Sequence, residues 1–307
     1  MSRSRAELSI IIPFIIFTTI WGTTWIVIRD QLGTVPAQWS IAYRFLIAAA
    51  AMAAITRWNG QSLRLSGAGL VAAAILGFLQ FVVNFNAVYL AEHHVTSGLV
   101  ATVFALLLIP NSLLGWAFLG QRPTGRFVIG SIMAVCGIAL LFAHELGEHP
   151  AQTDAILLGI GLTLIGMFGA SAANVYQALE RVKRFALFAV LTWAMLIGAL
   201  MDGAIALALA GPPVFETRAA YWFGLVYLAV FASALAFTLY LPVVRKIGPA
   251  KAAYSSVLVP IIAMGFSTWF EDYRWTWMTI AGAALALGGM IVALSRSRLV
   301  VPSPDAA

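Results

Sequence analysis

Few side chains in this 307-residue sequence can hold a polar ligand or move a proton, and most of those lie inside long apolar runs. Gly77, Gln80 and Asn84 follow at i, i+3 and i+7, which puts them on one helix face. Phe78, Phe81 and Phe85 flank that face at helical spacing. Two amides edged by aromatic rings suit a zwitterion with an apolar side chain: hydrogen bonds for the charged end, contact for the rest. Trp21, Thr24, Phe104 and Ser256 fall at a similar depth, near the middle of their own apolar runs. The competing reading makes the amides interhelical glue. Arg44 and Asp202 are the two clear charges inside apolar runs. A charge at the bilayer centre costs about 2.5–3.5 kcal/mol on insertion scales, so each should face protein or water. They could pair, each could line an aqueous cavity, or Arg44 could serve the scaffold by holding helix-end carbonyls. Pairing would keep Asp202 ionised and make it a poor proton carrier. The expected driving force is then the substrate gradient, in a facilitator or exchanger.

Asn111, Asn174, Gln177, Tyr240, Tyr254 and Ser255 collect in the opposite half of their runs, as an inner gate or as interhelical bonds. Pro110 and Pro260 each remove a backbone hydrogen bond and can kink their helices, which makes them candidate hinges. Other chemistry finds little support. No Gly-Lys-Ser/Thr phosphate loop occurs. Glu92-His93-His94 would splay three potential ligands around a helix, so no metal is expected, and no cofactor either. His144 and His149 read as solvated. A membrane enzyme acting on lipid-linked substrates is the alternative function, but it would need several acid, base or nucleophilic groups at one interface.

These residues must be positioned by a membrane scaffold. The sequence is 62% hydrophobic and 10% charged, where a soluble domain carries about 25% charge. About 20 apolar residues cross the hydrocarbon core, and ten segments qualify: 8–28, 36–56, 66–90, 95–119, 125–143, 155–177, 186–209, 219–242, 250–270 and 276–295. The first is too long for a signal peptide and lacks a small-residue cleavage site. The runs are continuous rather than alternating, so they read as helices, not barrel strands. Cys136 is the only cysteine, which leaves no internal disulfide.

The net charge of +6 reports topology rather than an affinity for nucleic acid, which is not an expected partner. Counting the termini and the even gaps together gives 14 Lys and Arg residues, among them Arg57, Arg64, Arg122, Arg126, Arg181, Lys183 and Arg184. The odd gaps hold 3: Arg29, Arg218 and Arg274. That bias puts both termini in the cytoplasm.

The two halves echo each other. Pro110 is followed eleven residues later by Gln121, and Pro260 eleven residues later by Glu271. Gly130, Ala134 and Gly137 match Gly282, Ala286 and Gly289; these small-residue faces suit either a contact between the fifth and tenth helices or a homodimer. Residues 1–148 and 149–307 are thus two five-helix units. Five is odd, so the second is inverted, an arrangement that places a substrate site at the repeat interface and supplies two exchangeable conformations. Trp21-Gly22-Thr23-Thr24-Trp25, Pro36, Tyr43-Arg44-Phe45 and the loop Gly120–Arg122, with Pro260, Glu271 and Gly282 in the second copy, resemble the EamA-type repeat of the drug/metabolite transporter superfamily. Gln121 departs from the Glu that such repeats often carry. The resemblance implies an all-α membrane protein of ten helices in the inner membrane. It also implies export of amino acids or other small metabolites or drugs, and the look is nearest to the aromatic amino-acid exporters.

The topology is checked by cysteine labelling in a variant lacking Cys136. A cysteine at Glu148 should react from outside the cell and one at Arg184 only from inside; labelling of both from one side overturns the assignment.

Overall fold

The computed structural model describes residues 3–120, 122–148, 150–247 and 255–295. Gln121, His149, Lys251, Tyr254, Arg296 and Arg298 lie outside the described residues. Apolar chain surrounded by lipid has no water to satisfy its amides, so each run closes its own hydrogen bonds as a helix. The first two helices are α1 (Arg3–Gln31) and α2 (Ala37–Trp58). Next come α3 (Gly67–Ala91) and α4 (Ser97–Leu119). Then follow α5 (Gly125–Glu148), α6 (Thr153–Ala178) and α7 (Leu187–Ala210). The last three are α8 (219–247), α9 (Ser255–Phe270) and α10 (Trp277–Leu294). Among the described residues, nine are long and apolar enough to span a membrane, and the shorter α9 is also apolar. The start expected for the ninth span, near 250, lies outside the described residues.

Local sequence explains the ends. Ser66 accepts from the Gly69 amide at the start of α3, and Thr276 forms a capping box with Thr279 at the start of α10. Gly120, at φ 69°, stops α4 in the left-handed region. Tryptophans crowd the helix ends, with Trp58, Trp269 and Trp277 mostly exposed, as expected of an interfacial belt.

Two helices change winding where the halves correspond. In α3 the segment Phe78–Val83 is π-helical, and in α8 so is Tyr227–Leu235. Helix α4 narrows to a 3-10 turn at Ala105–Leu107, just before Pro110. Pro110 cannot donate to the carbonyl one turn back, which helps explain the local rewinding. Pro260 sits inside α9, whose described residues Ser255–Phe270 include no such 3-10 turn.

The packing is symmetric under exchange of each helix with the one five places on. Helices α5 and α10, α2 and α7, and α4 and α9 pair with their own counterparts. The α3–α6 contact is matched by α8–α1, α3–α7 by α8–α2, and α4–α6 by α9–α1. The small-residue faces meet each other: a Cβ added at Gly289 would lie 2.5 Å from both Ala134 N and Gly130 O, and one at Gly282 would lie 2.8 Å from Gly137 O. Gly130, Ala134, Gly137, Gly282, Ala286 and Gly289 are all buried in this contact, so they are not free to make a homodimer.

Gly289→Ala should therefore cost about 1–3 kcal/mol, as overpacking does. Gly288→Ala, next to it and with nothing within 4 Å of an added Cβ, should be neutral or slightly stabilising. Melting curves of the two purified variants make the check; equal melting temperatures would show that the backbone contact does not limit stability.

Candidate functional site

Eight helices (all but α5 and α10) enclose one cavity of about 340 Å³ at the centre of the bundle. Trp21, Thr24, Gln80, Asn84, Phe81, Phe104 and Ser256, separated by up to 235 positions in sequence, all line it. Trp21 is fixed against α8. Its Nε1 donates to the Ala232 carbonyl at 3.2 Å, inside the π-helical turn of α8, and its ring packs against Tyr240 and Phe237. Thr24 contributes shape rather than a donor, because its hydroxyl is already committed to the Trp21 carbonyl at 2.7 Å. Phe104 packs on Trp25, with ring centroids 5.5 Å apart. Phe81 and Phe85 close around Phe45 at 4.5 and 4.8 Å.

Phe78 is the exception. It is 49% exposed on the outside of the bundle and lines nothing. It opens the π-helical turn, where each residue advances the helix by a smaller angle than in an α-helix. The regular helical spacing that groups it with Phe81 and Phe85 does not apply there. Of the two candidate hinges, Pro260 lines the cavity and Pro110 does not.

The polar groups separate into three environments. Asn84 is 3% exposed, and its Oδ1 has no hydrogen-bond partner. Arg44, also 3% exposed, lines the cavity; its Nη2 donates to Ser233 Oγ at 3.4 Å, while Nε and Nη1 have no partner. The guanidinium lies 4.5 Å from the Phe85 ring centroid and 5.2 Å from that of Phe45. The pairing with Asp202 is not formed. Asp202 is fully buried away from the cavity, where its Oδ1 accepts from Asn86 Nδ2 at 2.6 Å. Asn86 stands two residues beyond Asn84, so the helix turns it toward α7 while Asn84 faces inward. No motif marks that division of labour.

At one end the cavity is lined by Asn111, Asn174, Gln177, Tyr240 and Ser255. Asn174 donates to Asn111 at 3.4 Å in an exposed bond, and these residues are partly open. Ser255 is buried among them. At the other end the bundle is shut. Glu271, just past α9, accepts from Ser97 N and Ser97 Oγ at the start of α4 and from Ser267 Oγ, the two hydroxyl bonds being 2.6 Å. It thereby caps a helix from the other half of the chain. Arg29 Nε approaches Glu271 at 3.6 Å. Glu92 lies beside this cluster with no exposure and no partner for either carboxyl oxygen, while neighbouring His93 turns outward. His144, expected to be solvated, instead bonds Thr276 Oγ1 at 3.2 Å.

Helices long and apolar enough to span a bilayer, wrapped around a central cavity, are the architecture of a membrane transporter. The family model for EamA-like transporters matches residues 8–143 and again 157–295, and the chain belongs to that family. It is 24% identical over 305 residues to the "Probable amino-acid metabolite efflux pump" of Escherichia coli K12, covering 95% of each chain. It is 27% identical over 259 residues to the uncharacterized inner membrane transporter YedA of the same organism, covering 81% of this chain and 78% of that one. Protein PagO of Salmonella typhimurium LT2 is 22% identical over 270 residues, covering 87% of this chain and 86% of that one. A solved crystal structure shares the fold with a TM-score of 0.67 at 21% identity, over 95% of this chain and 97% of that one. The protein is a membrane transporter rather than an enzyme.

Burial, and then the adjacent Glu271 carboxylate, hold the Glu92 carboxyl well above the usual carboxylate range, with Arg29 and Arg44 opposing. A raised folded-state pKa favours the fold at low pH, and that contribution is lost as pH rises above the ordinary carboxylate range. The wild type should lose melting temperature relative to Glu92→Gln as pH rises from about 5 to 8. Parallel pH profiles for the two proteins would remove the strain assigned to Glu92.

Proposed function

We propose that this protein exports amino acids or closely related metabolites by alternating access across the inner membrane, with both termini in the cytoplasm. The observation that carries this reading is the cavity itself. It is shut at the Glu92–Glu271 end and partly open at the Asn111–Asn174 end, and the charge bias of the gaps assigns the open end to the cytoplasm. A cavity of about 340 Å³ suits a small solute. Its aromatic walls suit an apolar side chain, and Gln80 and Asn84 offer hydrogen bonds to a polar end. The efflux-pump relative supports the amino-acid class.

Alternating access needs two packings of similar energy, and the exchange of the units 1–148 and 149–307 supplies them. The π-helical turns of α3 and α8, with Pro110 and Pro260, are the places where the helices can re-form their hydrogen bonds during that exchange. No Asp, Glu or His is among the described lining residues, which favours a facilitator or exchanger driven by the solute gradient. The pairing of Arg44 with Asp202 plays no part in that argument.

Transport in proteoliposomes tests the site. Gln80→Ala and Asn84→Ala should each weaken apparent affinity about threefold to tenfold, the loss expected for a neutral hydrogen bond, with expression intact. Unchanged affinity in both variants would assign this helix face to packing.

A further inference from the structure

The sequence leaves Arg44 open between a scaffold role and a cavity role. Its surroundings decide for the cavity. The residue is 3% exposed, and no described carboxylate lies within ion-pair reach. Its Nη2 makes the long bond to Ser233, the buried Tyr89 hydroxyl lies close by, and Nε and Nη1 have no hydrogen-bond partner of good geometry. A buried guanidinium left this way is costly, since charge taken out of water is repaid only by an opposite charge with good geometry. Aromatic faces on two sides offset part of that cost. Arg44 also lines the cavity, which a solute can enter.

We infer that Arg44 is the binding group for the carboxylate of the transported solute. The inference rests on the export reading above and names the chemistry of the solute. A planar carboxylate matches two free N–H edges of a guanidinium fork. A phosphate dianion fits less well, because a single arginine leaves its second charge uncompensated in an apolar cavity. Two further lining residues carry buried, unpartnered polar atoms: Asn84 Oδ1, an acceptor that suits an ammonium, and Trp25 Nε1, a donor that can add to the carboxylate's hydrogen bonds. Arg44 and Asn84 together then hold the two ends of a zwitterion, with Phe81, Phe104 and Trp25 around the side chain.

The experiment is counterflow in proteoliposomes with three labelled probes: phenylalanine, phenylalaninamide and phenethylamine, which share the ring and the amine. Wild type should carry phenylalanine and discriminate against the amide and the amine by about tenfold to hundredfold, as loss of hydrogen bonds to a charged partner implies. Arg44→Gln should remove that discrimination, and Arg44→Lys should retain part of it. A purely structural arginine would lower the rates of all three probes together. Wild type carrying acid, amide and amine equally overturns the assignment of Arg44 and leaves the export reading standing, even if Arg44→Gln fails to fold. Wild type carrying none of the three overturns the amino-acid reading, and this inference with it.

Discussion

Hydrocarbon offers the backbone no hydrogen bonds and offers a charge no solvation. Every feature of this bundle answers one of those two deficits. Helices satisfy their own amides, but between helices there is little hydrophobic drive, because lipid is as apolar as leucine. What holds the halves together is close backbone approach, and that requires residues without side chains in the way. Gly130 and Gly137 against Gly282 and Gly289 provide it between α5 and α10. Gly77 packs against Ala194 and Gly198 between α3 and α7 in the same manner. A pair of helices locked at one edge frees the other eight to surround a cavity.

The second deficit governs the polar groups. Asp202 receives an amide from Asn86, and Glu271 receives four hydrogen bonds together with an arginine. Asp202 keeps its Oδ2 without a partner, and Glu92 and Arg44 are also left with unpartnered polar atoms; the last two lie where a transporter must change shape or take up a solute. Uncompensated polarity in a membrane is unstable in the state that contains it. It becomes useful if another state, or a ligand, removes the cost.

The structure also divides one helix between two tasks. In α3, Gln80 and Asn84 line the cavity while Asn86 secures Asp202 on α7. The π-helical turn in the same helix sends Phe78 to the lipid while Phe81 remains at the wall. Its counterpart in α8 presents the Ala232 carbonyl to Trp21 and Ser233 to Arg44. Local departure from α-geometry therefore shapes the site from both halves.

The sequence by itself determined the ten apolar runs, because their length and lack of charge leave no other way to satisfy the backbone in lipid. It also determined the inner wall at Trp21, Thr24, Gln80, Phe81, Asn84, Phe104 and Ser256, because depth along a helix is simply a residue count at 1.5 Å per residue. Rotation about a helix axis is not fixed by counting once the winding changes, and so Phe78 was misplaced. Partner choice was likewise decided only in the tertiary structure. Arg44 and Asp202 share a depth, yet they face different neighbours, Phe85 and Ser233 for one and Asn86 for the other. The small-residue faces read equally well as a helix pair or a dimer until the backbone contact between α5 and α10 consumed them. Hydropathy specifies how deep a residue sits; which neighbour it meets is set by how the helices turn and pack.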